Sequence, residues 1–150
     1  MAGRVDLGGG VTAAVLVPGV AEGEVLALSE PLSFWGGVHE ETGVISDVHH
    51  PQHGLSIAGK VLFMPGGRGS SSSSSVLAEL IRAGVGPAAI VLREPDPIIA
   101  LGALVAEALY GRVVPVVVAT PEAYARWGVG GWVRVDFGGI SGGEGGGVGG

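Results

Sequence analysis

From Lys60 onward, short apolar runs alternate with longer helical patterns, and this alternation narrows the available folds more than any other feature. Val61–Met64 and residues 88–92 are too short for helices and predict strands. Residues 113–119 form a nearly continuous apolar run, as a strand covered on both faces requires. Between them, residues 71–83 predict a helix with Val76, Leu77, Leu80 and Ile81 on one face and Gly84 as its stop. Residues 97–109 predict a second helix, apolar nearly all round and therefore buried, with Asp96 as its cap and Gly111 as its stop. Thr120 and Pro121 read as the N-cap and first residue of a third helix, and residues 132–135 as a last strand. The order β-α-β-α-β-α-β predicts an α/β domain whose strands run parallel, with right-handed crossovers.

The N-terminal part is β-rich. Residues 11–17 and 24–29 read as strands, separated at Pro18-Gly19. Residues 30–54, rich in Gly, Pro, Ser and His, predict long loops with little regular structure, and a loop region of that size is often functional. One domain is expected over residues 1–137. Residues 138–150 hold nine glycines and few apolar anchors, and predict a disordered tail.

Charged residues are only 15% of the chain, which a large partner interface would explain, as would simple compactness. The net charge of −6 and the lack of a basic run argue against nucleic acid and anionic membranes as partners. With no cysteine, the chain holds no disulfide, thiolate zinc site or cysteine-ligated iron–sulfur cluster of its own. Its start lacks the basic region and apolar run of a signal peptide, and no apolar stretch reaches the roughly 20 residues that span a bilayer, so a cytoplasmic protein is expected.

Chemistry concentrates where the first parallel strand turns into its helix, at Met64-Pro65-Gly66-Gly67-Arg68-Gly69-Ser70 and the five serines that follow. Backbone N–H groups left unpaired at a helix start converge there, and the helix dipole favours negative charge. The segment is thus a candidate anion or substrate site, with Arg68 able to grip a carboxylate or phosphate through paired hydrogen bonds. A plain cap would need only one serine, and a flexible linker would not sit between a strand and a helix this close. The loop lacks the lysine of a phosphate-binding P-loop. Asp47, His49, His50 and His53 invite a metal reading, but Pro51 opposes the helix that would align His49 with His53, and loop or interface hydrogen bonding is the stronger reading. Phe34 and Trp35 fit either a satellite core or a contact for a partner chain.

Several of these segments occur together in a known family. Residues 31–37 (Pro-Leu-Ser-Phe-Trp-Gly-Gly), Glu41-Thr42-Gly43, Asp47, His50-Pro51-Gln52-His53-Gly54, Gly59-Lys60-Val61-Leu62, Pro65-Gly66-Gly67-Arg68-Gly69-Ser70-Ser71 and Ala88-Ala89-Ile90-Val91 resemble the small subunit of the aconitase X family, in order across residues 18–121. The resemblance implies a swivelling β/β/α domain that docks on a large subunit. It implies that the large subunit holds an iron–sulfur cluster, of [4Fe–4S] type, and that this chain alone binds none.

The best-known two-chain archaeal members of the family are phosphomevalonate dehydratases. The implied reaction removes water from (R)-5-phosphomevalonate, a small phosphorylated carboxylate, to give trans-anhydromevalonate 5-phosphate in a modified mevalonate pathway. Aconitase-like enzymes use the serine after a Gly-x-Gly turn as base, which lands on Ser70, with Gly67, Arg68, Gly69 and Ser71 as substrate-binding neighbours. Ser70 would take the proton beside the carboxylate while the open iron of the cluster draws off the hydroxyl. The serine run leaves Ser71 as a rival to Ser70. Two other readings stay open: part of a cis-3-hydroxy-L-proline dehydratase, often a single fused chain, and a non-catalytic phosphate-binding module.

Overall fold

A computed structural model describes residues 5–6, 12–67, 72–136 and 139–142. Its strands join in one eight-stranded sheet of order β1-β2-β6-β5-β4-β3-β7-β8. The middle strands β4 (Val61–Met64), β5 (Ala89–Leu92) and β6 (Val116–Ala119) are parallel, with β3 (Ala21–Ala27) parallel to β4. Helices α2 (Ser72–Arg82) and α3 (Pro97–Tyr110) connect β4, β5 and β6 in turn. β1 (Val5–Asp6) and β2 (Thr12–Val17) form an antiparallel pair on the β6 edge.

The other edge departs from expectation. β7 (Trp132–Asp136) follows the short helix α4 (Pro121–Trp127) and pairs antiparallel with β3, not parallel with its sequence neighbours. β3 begins at Ala21, earlier than its apolar residues announce, because Glu22 and Glu24 face outward toward Arg134 and Lys60. Gly139–Gly142, inside the stretch expected to be a disordered tail, form β8 against β7. β1 and β8 lie close together, so the sheet curls.

Alternation along the parallel strands feeds two cores. Leu62, Met64, Ile90, Leu92 and Val116 face α2 and α3, whereas Val61, Phe63, Ala89, Val91 and Val117 face α4, β3 and β7. β6 is shorter than its apolar run because Pro115 has no N–H to give the ladder. Gly84 and Gly111 end α2 and α3 in left-handed conformation, φ 80° and 68°.

Helix α3 is not buried all round. Its small residues Gly102, Ala103 and Ala106 face inward, while Leu101, Leu104 and Leu109 point outward. The reason is spacing: a Cβ on Gly102 would lie 2.8 Å from the Ser74 carbonyl oxygen and 3.1 Å from Leu77, so α2 and α3 approach closely there. A larger residue at 102 has no room there, although Ile99 is buried on the same side nearer the start of the helix.

The segment between β3 and β4 is compact despite its little regular structure. Isolated bridges join Val38 to Ile45 and Val44 to Ser56, and Leu32, Phe34, Val38, Ile45 and Ile57 are buried in the helix-side core. Its one helical turn, α1 (Phe34–Gly37), has type II turn angles at Trp35 and Gly36, where φ is 79° and glycine is favoured.

Candidate functional site

The C-terminal ends of β4, β5 and β6 lie side by side, which is where open α/β sheets bind ligands. β4 delivers Pro65, Gly66 and Gly67 to this end, and α2 resumes at Ser72. Of the residues expected to form the site, Gly67 is described. Arg68, Gly69, Ser70 and Ser71 lie outside the described residues. Their two flanks are tied to other parts of the chain.

On the strand side, the Gly67 N–H donates to Asp96 Oδ2 at 2.9 Å, and Gly67 bridges in parallel to Leu32. On the helix side, buried Ser73 accepts at Oγ from the Trp35 N–H at 3.4 Å. The loop 31–37 therefore lies along both flanks of the serine segment. Sequence reasoning assigned Asp96 to capping, which is correct: its Oδ1 accepts from Ile98 N at 3.0 Å and Ile99 N at 3.1 Å. The reach of its second oxygen to Gly67 was legible in no local pattern. Ser73 was likewise hidden within a run of identical residues.

Phe34 and Trp35 divide the two roles expected of them. Phe34 is fully buried, whereas Trp35 is 60% exposed, held out by the turn and by the Ser33 Oγ donation to its carbonyl at 2.8 Å. Next to the strand ends, Arg93 lies 5.8 Å from the Tyr124 ring centroid, and burial pushes the Tyr124 phenol up to about 12, with Arg93 opposing.

The histidines do not converge. His50 is buried and accepts at Nδ1 from the Gln52 N–H at 3.0 Å, which assigns its Nε2–H as donor to the Glu30 carbonyl at 3.3 Å. His49 and His53 are exposed, and Asp47 Oδ1 accepts from the His49 N–H. Among the described residues no group of three His, Cys, Asp or Glu could hold a metal ion, and the sequence has no cysteine, so these residues do not fit an iron–sulfur cluster. Nor is any helix among them long and apolar enough to cross a membrane.

A family model described as the aconitase X swivel domain matches residues 11–141. The chain belongs to that family. Aconitase X of Thermococcus kodakaraensis, in its holo-form crystal structure, superposes on this swivel domain with a TM-score of 0.76 at 37% identity, covering 86% of this chain and 94% of that one. The phosphomevalonate dehydratase small subunit of Methanothermobacter thermautotrophicus is 48% identical over 92 residues, 61% of this chain and 70% of that protein. The cis-3-hydroxy-L-proline dehydratase of Pseudomonas aeruginosa is 55% identical over 101 residues, 67% of this chain. The swivel domain spans only 17% of that protein's length.

Proposed function

We propose that this swivel domain is the small subunit of a two-chain hydro-lyase that dehydrates (R)-5-phosphomevalonate to trans-anhydromevalonate 5-phosphate. The observation that carries the reading is a serine segment set at the parallel strand ends of an aconitase X swivel domain, with both flanks anchored. The small subunits that match over most of their own length support the substrate.

In this reading Ser70 Oγ, as alkoxide, takes the proton from the carbon beside the substrate carboxylate. The electrons of that C–H bond form the double bond, and the hydroxyl on the neighbouring carbon leaves. Backbone donors at the start of α2 hold the alkoxide, and Arg68 pairs with the carboxylate. Gly67, Gly69 and Ser71 complete the loop that binds substrate. An iron–sulfur cluster, of [4Fe–4S] type, belongs to the large subunit, and the share of this chain is the proton. The complex works in the cytoplasm.

A second reading is supported by the 55% identity to a cis-3-hydroxy-L-proline dehydratase, which would place the same serine beside an imino acid. Assaying the reconstituted two-chain complex anaerobically with each compound separates the two. Turnover of the phosphorylated acid alone supports the first reading, and turnover of hydroxyproline alone replaces it. In the active complex, Ser70→Ala is expected to lower kcat by about 10²–10⁴-fold, with subunit and substrate affinity largely kept. Retained turnover removes Ser70 from the mechanism, and the same assay on Ser71→Ala tests its rival.

A further inference from the structure

The β5–α3 connection holds a carboxylate that does more than a helix cap needs. An N-cap requires one acceptor oxygen. Asp96 uses Oδ1 for that, receiving the N–H groups of Ile98 and Ile99, and sends Oδ2 across the strand ends to the Gly67 N–H. The contact is partly buried and spans 29 residues of sequence. A Cβ on residue 67 would press on this contact, lying 2.6 Å from Oδ2 and 3.1 Å from Ile99 Cδ1. Three N–H donors thus converge on one carboxylate.

We infer that Asp96 is a positioning residue for the dehydration: it locks the start of α3 to Gly67 and so sets where the Ser70 loop leaves the sheet. This rests on the proposed role of Ser70. Gly67 precedes that serine by three residues, and the only slack between them is a chain containing a further glycine, so a shift at Gly67 is passed toward the base. A misplacement of an ångström is enough to cost about two orders of magnitude in rate.

Asp96→Asn tests this with little damage to the fold. Asparagine caps helices as well as aspartate, so its carbonyl oxygen can serve Ile98 and Ile99. Its NH₂ group would then face the Gly67 N–H, donor against donor. Gly67→Ala attacks the same contact from the other side. Both variants are measured in complex with the large subunit, with (R)-5-phosphomevalonate and with cis-3-hydroxy-L-proline, and by amide hydrogen exchange at residues 67, 98 and 99.

The expected result is a fall in kcat of about tenfold or more in each variant, with subunit affinity within about threefold of wild type in both and KM within about threefold in Asp96→Asn. Faster exchange at Gly67 in Asp96→Asn is also expected, with Ile98 and Ile99 still protected, and a double variant no slower than the worse single one. Unchanged kcat in both variants, or additive losses, overturns the inference. A wild-type complex that dehydrates neither compound defeats the proposed function instead. Exchange then decides the clamp alone: faster Gly67 exchange in Asp96→Asn supports it, and unchanged Gly67 exchange overturns it.

Discussion

Tyr124 carries a buried hydroxyl that finds no hydrogen-bond partner among the described residues, although its ring packs edge-on against Phe63 at 5.4 Å. Such a hydroxyl loses its hydration without recompense. Tyr124→Phe is therefore expected to raise stability by up to about 1 kcal/mol at neutral pH. The same burial sets an alkaline limit. The unfolded chain gives up this phenolic proton near pH 10. The folded chain holds it until about 12. Stability is full below pH 10 and is lost as pH rises from 10 to 12, since the unfolded state binds fewer protons there. Denaturant midpoints at pH 9 and 11.5 should fall further in wild type than in Tyr124→Phe, and equal losses would assign the effect to other groups. Single residues were unequally legible in the sequence. The cap at Asp96 follows from its own neighbours, but its bond to Gly67 depends on two strands being adjacent, which no local spacing encodes. Phe34 and Trp35 are both aromatic and opposite in exposure, and the turn angles at Trp35 and Gly36 accompany the difference.

Helices α2 and α3 meet at Gly102, and replacing it offers a test of that contact. Alanine there gains about 0.5–1 kcal/mol of helix propensity. Its Cβ would press on the Ser74 carbonyl oxygen and on Leu77, 2.8 Å and 3.1 Å away, and a backbone oxygen cannot rotate aside. Overpacking of this kind costs about 1–3 kcal/mol, so Gly102→Ala should be net destabilising, by about 1–2 kcal/mol in urea unfolding. An unchanged midpoint would mean that the helices part freely. Elements with strong local signals were legible: Val61–Met64 reads as the strand it is, and Thr120 caps α4 by accepting from Ala123 N at 3.2 Å. Pairing was legible for β4, β5 and β6, which run parallel as their helical connections lead one to expect, but not at the β3 edge, where β7 pairs antiparallel and β8 is added through backbone groups that glycine supplies as well as any residue. The outward leucines of α3 follow from the small residues on its inner side, a division visible only once α2 is known to lie there.

Trp35, 60% exposed beside the serine segment in a chain with 15% charged residues, is the residue through which the proposed docking on a large subunit can be tested. Trp35→Ala should leave the stability of the isolated domain within about 0.5 kcal/mol, because the ring is largely outside the core. Affinity for the large subunit should drop by about tenfold or more, read by calorimetric titration of the two chains. Unchanged affinity would confine Trp35 to a local packing role. The ties on either side of the serine segment also impose an order of assembly on a chain leaving the ribosome. The bond from Trp35 to Ser73 closes 38 residues and is available once α2 has emerged. The bond from Gly67 to Asp96 closes 29 residues forward and must wait for β5 and the first turn of α3. Closing loops of such lengths differs little in entropy, so the sequence of events is set by synthesis, not by loop size. A nascent chain thus passes through a stage in which the ties to Leu32 and Trp35 are available and the tie to Asp96 is not, and both flanks are fully fastened only when the parallel sheet has grown past them.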